Sequence, residues 1–319
     1  MTLRENLWQF VVLGLVVTLV LSIYADLDAL IDAFQQFDLW LLPMVLGLTL
    51  SNQCLRFLKW EYLLREVEIN LPLSMSFSIF GSGLIMIMTP GKLGEAWKSW
   101  LIRDEQGTPI STTMPVIVAE RVTDLLGVVS ISLLGVIAFG RSPVVLILLA
   151  LLLIGGILLL QYERACYWFL DRLDQLPVIG RKTDAFRNLY ENSRTLLRLR
   201  PLGVTTVLSI FSWGLECVGM WLVLKGFGVD VSLIAAAFVF AMASILGAIS
   251  LLPGGLGVTE GSMIGLLLVF EVGRAQAVSA TLVIRAATLW FVAGLALAVY
   301  GYYRHQKSAV IKKPPGDIE

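Results

Sequence analysis

Predominantly apolar segments follow one another along most of the chain, and their length limits the folds that are open to it. Seven of them contain at least 18 residues, the length that a helix needs to cross a bilayer: residues 7–24, 40–58, 114–139, 143–160, 202–224, 231–252 and 277–303. Only 15% of the residues are charged, against about 25% in soluble domains. The sequence therefore predicts an all-α polytopic membrane protein.

A Pro-Gly-x-Leu-Gly motif occurs twice, each time at the end of an apolar segment. Pro90–Gly94 and Pro253–Gly257 are both followed by a glutamate, at Glu95 and Glu260. Proline lacks a backbone donor and glycine adopts unusual dihedral angles, so each copy predicts a helix break. At membrane depth such a break must be shielded by protein or line a wet cavity. We therefore expect about six full spans and two broken re-entrant hairpins, built from about eight or nine apolar segments.

The charges in the loops indicate that the two halves of the chain have opposite orientations. The loop at 25–39 contains four aspartates and no Lys or Arg, whereas Lys and Arg follow residue 58 and the first break. By the positive-inside rule the former is external and the latter are cytoplasmic. The result is an inverted repeat of helix, re-entrant hairpin and helix, with both termini in the cytoplasm. The two breaks should then approach each other near the midplane.

Four regions follow from this topology. They are an N-terminal membrane half (1–160), a cytoplasmic amphipathic connector (161–201), a C-terminal membrane half (202–304) and a cytoplasmic tail (305–319). The segment 7–24 could also be a cleaved signal peptide, but Ile23 before Ala25 makes a poor cleavage site. The connector is rich in arginine and could lie on an anionic membrane surface or be a plain solvated link.

Charged residues inside the apolar segments are candidates for function because they are expensive to bury in a membrane. The distance from each motif to an embedded arginine is similar, with 31 positions from Pro90 to Arg121 and 32 from Pro253 to Arg285. We expect cations and glycine N–H groups at the breaks to bind an anionic head group: Lys92, Arg121, Arg285, Gly91, Gly94, Gly254 and Gly255. Helices starting after Gly91 and Gly254 would aim their N-termini inward.

Other embedded charges have two interpretations each. Glu95, Glu120, Asp124 and Glu260 would couple transport to an ion or proton, or would form ion pairs. Arg56 and Lys59 could belong to the site or anchor a helix at the membrane interface, and Glu216 could be a single acid satisfied by a neighbouring helix. Lys98 is a further embedded cation.

Several chemistries find no support in the composition. The three cysteines have no metal or disulfide spacing, and the single histidine, His305, lies in the tail. We therefore expect no metal site, no catalytic residue of the triad type and no cofactor. Gly91-Lys92 is followed by Leu93 and not by Ser or Thr, so it is no Walker A motif. The formal net charge is zero, and we expect no nucleic-acid partner.

Three segments together resemble a known family. Thr89–Glu95, Glu120-Arg121-x-x-Asp124 and Leu252–Glu260 are similar to the lysylphosphatidylglycerol synthase transmembrane-region family, which includes flippase-like domains and UPF0104-type membrane proteins. Arg56 and Lys59 are similar to its early basic pair, and the likeness extends from about residue 10 to residue 303. The resemblance implies a lipid-handling protein of the bacterial or archaeal cytoplasmic (inner) membrane. The chain ends 16 residues after residue 303, so we expect the family's soluble transferase domain to be absent.

Three functions remain open at this point. The first is a flippase or transporter for an anionic phospholipid or a polyprenyl-phosphate-linked lipid, which makes a membrane lipid the expected partner. The second is a membrane glycosyltransferase that uses a lipid-phosphate sugar donor, with Glu95, Glu120 or Asp124 as general base. The third is a non-catalytic membrane subunit of a separate soluble lipid-modifying enzyme.

Overall fold

The computed structural model describes residues 16–17, 27–88, 95–139, 144–174 and 183–311. Within these ranges the chain forms helices joined by short turns and contains no β-strand, which confirms the all-α prediction. Most of the first predicted span and residues 89–94 of the first motif lie outside the described residues.

The described residues form thirteen α-helices, numbered here in chain order: α1 (Leu27–Gln35), α2 (Leu41–Glu66), α3 (Leu73–Leu84), α4 (Trp97–Gln106), α5 (Ile110–Ala138), α6 (Val144–Gln161), α7 (Glu163–Asp174), α8 (Thr183–Leu196), α9 (Leu199–Gly226), α10 (Leu233–Ile249), α11 (Val258–Val269), α12 (Arg274–Arg285) and α13 (Phe291–Ile311). Two single-turn 3-10 helices, Ile85–Met88 and Pro253–Gly255, follow α3 and precede α11. A π-helical turn, Ala286–Trp290, joins α12 to α13.

Four of the described helices are long and apolar enough to cross a membrane. They are α2, α5, α9 and the continuous helix Arg274–His305. They match four of the six predicted full spans, since the seventh long segment, 231–252, was expected to form part of the second hairpin. Of the other two, 7–24 lies outside the described residues except for 16–17, and 143–160 forms α6, whose 18 residues include no charge. Large apolar side chains such as Leu134, Ile137 and Phe211 are exposed on these helices, as contact with lipid requires. The protein is therefore an integral membrane protein.

Two large apolar cores stabilise the fold, and the long helices α2 and α5 take part in both. Val116 and Ala119 of α5 belong to a core shared with α2, α3, α4 and α13, whereas Val128 and Val136 of α5 belong to a second core with α9 to α12. The turns of α5 between these residues carry charged side chains. The same holds for α2, which contributes Val45 to one core and Trp60, Leu63 and Leu64 to the other. The polar segments of both helices meet between the two cores.

The order of elements is the same in the two halves. A long helix, a short helix, a 3-10 turn, a short helix and a long helix occur as α2 to α5, and a corresponding order occurs from α9 to the helix Arg274–His305. The two 3-10 turns, Ile85–Met88 and Pro253–Gly255, contact each other. The end of α3 is thus adjacent to the second break.

The connector forms two helices, α7 and α8, that are packed against the membrane helices. Tyr190, Leu196 and Leu197 are buried, and α8 lies along α5. An ion pair joins Arg194 of α8 to Glu163 of α7. The connector is therefore a docked part of the fold, and its position relative to a membrane surface stays a prediction.

Candidate substrate-binding site

Asp124 on α5 connects three helices through its carboxylate. Lys59 of α2 donates a hydrogen bond to Asp124 Oδ1, and its ammonium lies 2.9 Å from Ser209 Oγ of α9. The Ser209 hydroxyl donates to the same carboxylate oxygen at 3.1 Å. Helices α5 and α9 can come this close because Gly127 faces Ser209, where a Cβ atom would lie 3.0 Å from the serine Cβ. Lys59 is only 1% exposed, so these contacts replace its hydration.

Arg121, one turn earlier on α5, is shared by three carboxylates. Its Nη2 lies 3.2 Å from Glu95 Oε2, 3.3 Å from Asp124 Oδ2 and 3.8 Å from Glu120 Oε1. Arg56 Nη2 lies 3.8 Å from the same Asp124 oxygen. The Arg121 side chain is 26% exposed, which is more than any other charged side chain around it.

Lys98 of α4 closes the cluster on the side of α3. Its ammonium lies 2.5 Å from Glu120 Oε2 and 3.7 Å from Glu95 Oε2, and 4.5 Å from the centre of the Trp60 ring. The stem of Lys98 passes over Gly83, where a Cβ atom would lie 2.3 Å from the lysine Cγ. We call these seven residues the α5 charge cluster: Arg56, Lys59, Glu95, Lys98, Glu120, Arg121 and Asp124.

The second break is a turn with three glycines in the left-handed region. Gly254, Gly255 and Gly257 have φ angles of 60°, 67° and 83°, which side chains with a Cβ adopt at a cost. The helix after the break begins at Val258 and not directly after Gly254. The three residues 255–257 therefore separate Gly254 from the helix, because Pro253–Gly255 forms a separate 3-10 turn.

Arg285 and Glu260 hold this break together. Arg285 Nε donates to Glu260 Oε1 at 2.6 Å, and Arg285 Nη2 donates to the Gly254 carbonyl at 2.7 Å. The Gly257 N–H donates to Glu260 Oε2 at 2.7 Å. One N–H group at the start of α11, which we expected to face an anion, is thus satisfied by the chain's own glutamate.

We predict that Gly255→Ala destabilises the protein because the site lacks both dihedral freedom and space. A Cβ on Gly255 would lie 2.4 Å from Thr259 Oγ1 and 3.3 Å from Gly247 Cα. Left-handed strain costs about 1–2 kcal/mol and overpacking about 1–3 kcal/mol, so we expect a total loss of about 2–5 kcal/mol in unfolding by SDS titration. Gly228→Ala is the matched control, since Gly228 has a φ of 70° and nothing within 4 Å. An equal loss in both variants would show that the contact with Thr259 adds nothing.

A cavity of about 290 Å³ lies between the α5 charge cluster and the second break. Arg56, Arg121, Asp124, Glu216 and Arg285 all line it. Apolar side chains complete the wall, among them Leu125, Val128, Phe240, Ile245 and Leu289. Its volume is near the lower end of ligand pockets, which begin at about 300 Å³. It can accommodate a small polar group.

The structure assigns the predicted residues to different places. Six of them belong to the α5 charge cluster: Arg56, Lys59, Glu95, Glu120, Arg121 and Asp124. Arg285, Glu260, Gly254, Gly255 and Pro253 form the second break, and Glu216 reaches the cavity from α9. Pro90, Gly91, Lys92 and Gly94 lie outside the described residues.

Two uncharged polar side chains on α2 were not predicted from the sequence. Asn52 and Gln53 line the cavity, and Asn52 Nδ2 donates to the Ser212 carbonyl of α9 at 2.7 Å. Both residues could have been identified from the sequence, because two adjacent amide side chains inside the predicted span 40–58 must find hydrogen-bond partners. Within the described ranges, no three His, Cys, Asp or Glu side chains are placed to hold a metal ion.

The fold and the cavity define the class: a polytopic helical membrane protein that encloses a charged site between its helices. More particularly, the chain belongs to the lysylphosphatidylglycerol synthase TM region family, whose model matches residues 11–296. It is 27% identical over 316 residues to a UPF0104 membrane protein of Methanothermobacter thermautotrophicus, covering 90% of this chain and 91% of the relative. A UPF0104 membrane protein of Pyrococcus horikoshii is 21% identical over 311 residues, covering 89% and 93%.

Proposed function

We propose that this protein moves a lipid with an anionic phosphate head group between the leaflets of the membrane. The observation that carries the proposal is the cavity, where Arg56, Arg121 and Arg285 meet from three different helices. Three arginines on one small cavity suit a phosphate, which accepts several charge-assisted hydrogen bonds. The apolar part of the wall suits the adjoining carbon chain. An anionic phospholipid and a polyprenyl phosphate share this head-group chemistry.

The architecture supports lipid movement through an inverted repeat. The equal order of elements in the two halves and the contact between the two 3-10 turns are consistent with two re-entrant hairpins that meet at a shared site. In transporters with this design, alternating access arises when the repeats move about such a site. We infer the same design here, in the inner membrane with both termini cytoplasmic. We keep the expectation that Lys92 and Gly91 of the first motif also bind the head group.

The carboxylates of the cluster favour binding over glycosyl transfer. Glu95, Glu120 and Asp124 each have at least two cations within 4.0 Å. Because each of these carboxylates is already held in ion pairs, the three are poorly placed to remove a proton from a sugar hydroxyl. They are well suited to hold cations in position for an anion.

We expect Arg121→Ala to abolish most of the lipid translocation, because the most accessible cation of the cluster is lost. A hydrogen bond to a charged group contributes about 1.5–3 kcal/mol, so the rate should fall by about tenfold or more. The measurement uses proteoliposomes with fluorescent phosphatidylglycerol, or a fluorescent polyprenyl phosphate, and a membrane-impermeant quencher added outside.

The matched control for this experiment is Arg65→Ala. The Arg65 side chain is 72% exposed and is not part of the cavity wall, so the variant should translocate lipid like the unmodified protein. Fluorescent phosphatidylcholine tests the need for a net negative head group and should move more slowly. If no lipid of this panel exchanges faster with protein than without it, the proposal is wrong.

A further inference from the structure

Glu216 is a buried acid on the cavity wall that the ion pairs described above do not use. It lies on α9 and is 6% exposed. Among the described residues, no Lys or Arg nitrogen lies within 4.0 Å of its carboxylate. Arg56 lines the same cavity. Glu216 therefore faces the cavity as an acid without an ion pair of its own.

The ionisable groups around Glu216 come from three of the helices packed against α9. Arg56 and Lys59 come from α2, Arg121 and Asp124 come from α5, and Arg285 comes from α12. Helix α10 contributes none, since no residue of Leu233–Ile249 has an ionisable side chain. Helix α8 ends at Leu196, before the start of α9 at Leu199, and Leu199 is about 25 Å along α9 from Glu216.

The protonation state of Glu216 decides the net charge of the ionisable groups at the cavity. The α5 charge cluster has four cations (Arg56, Lys59, Lys98 and Arg121) and three carboxylates (Glu95, Glu120 and Asp124), so one positive charge is left over. Arg285 and Glu260 cancel each other. With Glu216 ionised, these described groups are neutral as a set; with Glu216 protonated, they carry one positive charge.

We propose that the Glu216 carboxylate is protonated when the cavity holds a lipid phosphate, so that binding takes up one proton at any pH at which Glu216 is ionised in the empty protein. This inference rests on the proposed function and adds an energy coupling to it. A phosphodiester carries one negative charge, which replaces that of the Glu216 carboxylate opposite Arg56 and Arg121. Two adjacent anions in a site of low polarity would oppose each other, so the carboxylate takes a proton from water and returns it when the lipid leaves. Lipid and proton would then travel together.

The sign of the pH dependence follows from this exchange. Because a proton is taken up with the lipid, affinity falls as pH rises wherever empty Glu216 is ionised, by up to tenfold per pH unit for one proton. Glu216→Gln is always neutral, so its affinity should stay constant over the same range. At the alkaline end the variant should therefore bind the lipid more tightly than the unmodified protein.

The direct test counts protons during binding. The purified protein in detergent is titrated with dihexanoyl phosphatidylglycerol in a calorimeter, in pairs of buffers with different ionisation enthalpies, from about pH 6 to about pH 9. We expect the uptake to rise with pH toward one proton per lipid in the unmodified protein, and to stay near zero in Glu216→Gln. Glu68→Gln, which changes an exposed glutamate, is the control and should take up protons like the unmodified protein.

The outcomes separate this inference from the function on which it rests. Lipid binding by the unmodified protein without proton uptake at any pH overturns the proton coupling and leaves the proposed lipid binding standing. Equal uptake in Glu216→Gln and the unmodified protein also overturns it. Absence of binding at every pH overturns both. If Glu216→Gln fails to fold, lipid binding without proton uptake in the unmodified protein still overturns the coupling.

Discussion

Asp124→Asn is expected to destabilise the protein by about 3–5 kcal/mol. The Asp124 carboxylate contacts three cations, Lys59, Arg56 and Arg121. An asparagine keeps a similar shape but removes the negative charge, so a 1% exposed lysine is left buried without its anion. The free energy of unfolding, measured by SDS titration in detergent micelles, should show the loss.

A double variant separates charge from packing at this position. Lys59→Gln combined with Asp124→Asn leaves two neutral side chains that can hydrogen-bond to each other and to Ser209, so part of the lost stability should return. Asp230→Asn is the control, since the Lys225–Asp230 ion pair lies at the surface and its loss should leave stability nearly unchanged. If the two changes at Lys59 and Asp124 prove additive, the buried pair does not stabilise the fold in the way described here.

Arg285→Ala is expected to have an effect of similar size, about 3–5 kcal/mol, with its consequences at the second break. The change removes the partner of Glu260, which is 3% exposed, and the donor to the Gly254 carbonyl. Hydrogen exchange should therefore accelerate at the amides of Gly255 and Leu256, and SDS titration should show the loss of stability.

Two further variants test that interpretation. Adding Glu260→Gln to Arg285→Ala removes the unpaired charge while keeping an acceptor for the Gly257 N–H, so it should restore part of the stability. Arg274→Ala, an exposed arginine at the start of the same helix, should leave both measurements unchanged. Unaltered exchange at the break in Arg285→Ala would mean that the turn is held by its glycines and proline alone.

The sequence was sufficient to predict the helical class and most of the charged residues at the site. Segment length and hydropathy alone indicate spans in a membrane, and a charged residue within a span stands out from its neighbours. Glu120, Arg121 and Asp124 could also be placed near one another because they lie within two turns of one helix. Such inferences depend on local spacing, which a sequence displays directly.

The pairing of side chains across helices could not be predicted in this way. Lys59 and Asp124 are 65 positions apart, and Lys59 and Ser209 are 150 apart, so their contacts depend on how α2, α5 and α9 pack. Helix packing also brings Arg285 into contact with Glu260 and the Gly254 carbonyl. The sequence around Arg285 indicated only a cation near a break. Small residues such as Gly127 permit these approaches, but one sequence does not show which glycine faces which helix.

The π-helical turn Ala286–Trp290 immediately follows Arg285 in the continuous helix Arg274–His305. An extra residue in one turn rotates everything beyond it by about 100° relative to a regular α-helix. The two parts of this continuous helix therefore pack against different neighbours. Helix α12 packs against α1, α9 and α11, and α13 packs against α3. The packing of α12 therefore orients the Arg285 guanidinium toward the second break. The π-helical turn lets α13 present a different face to its own neighbours without changing that orientation.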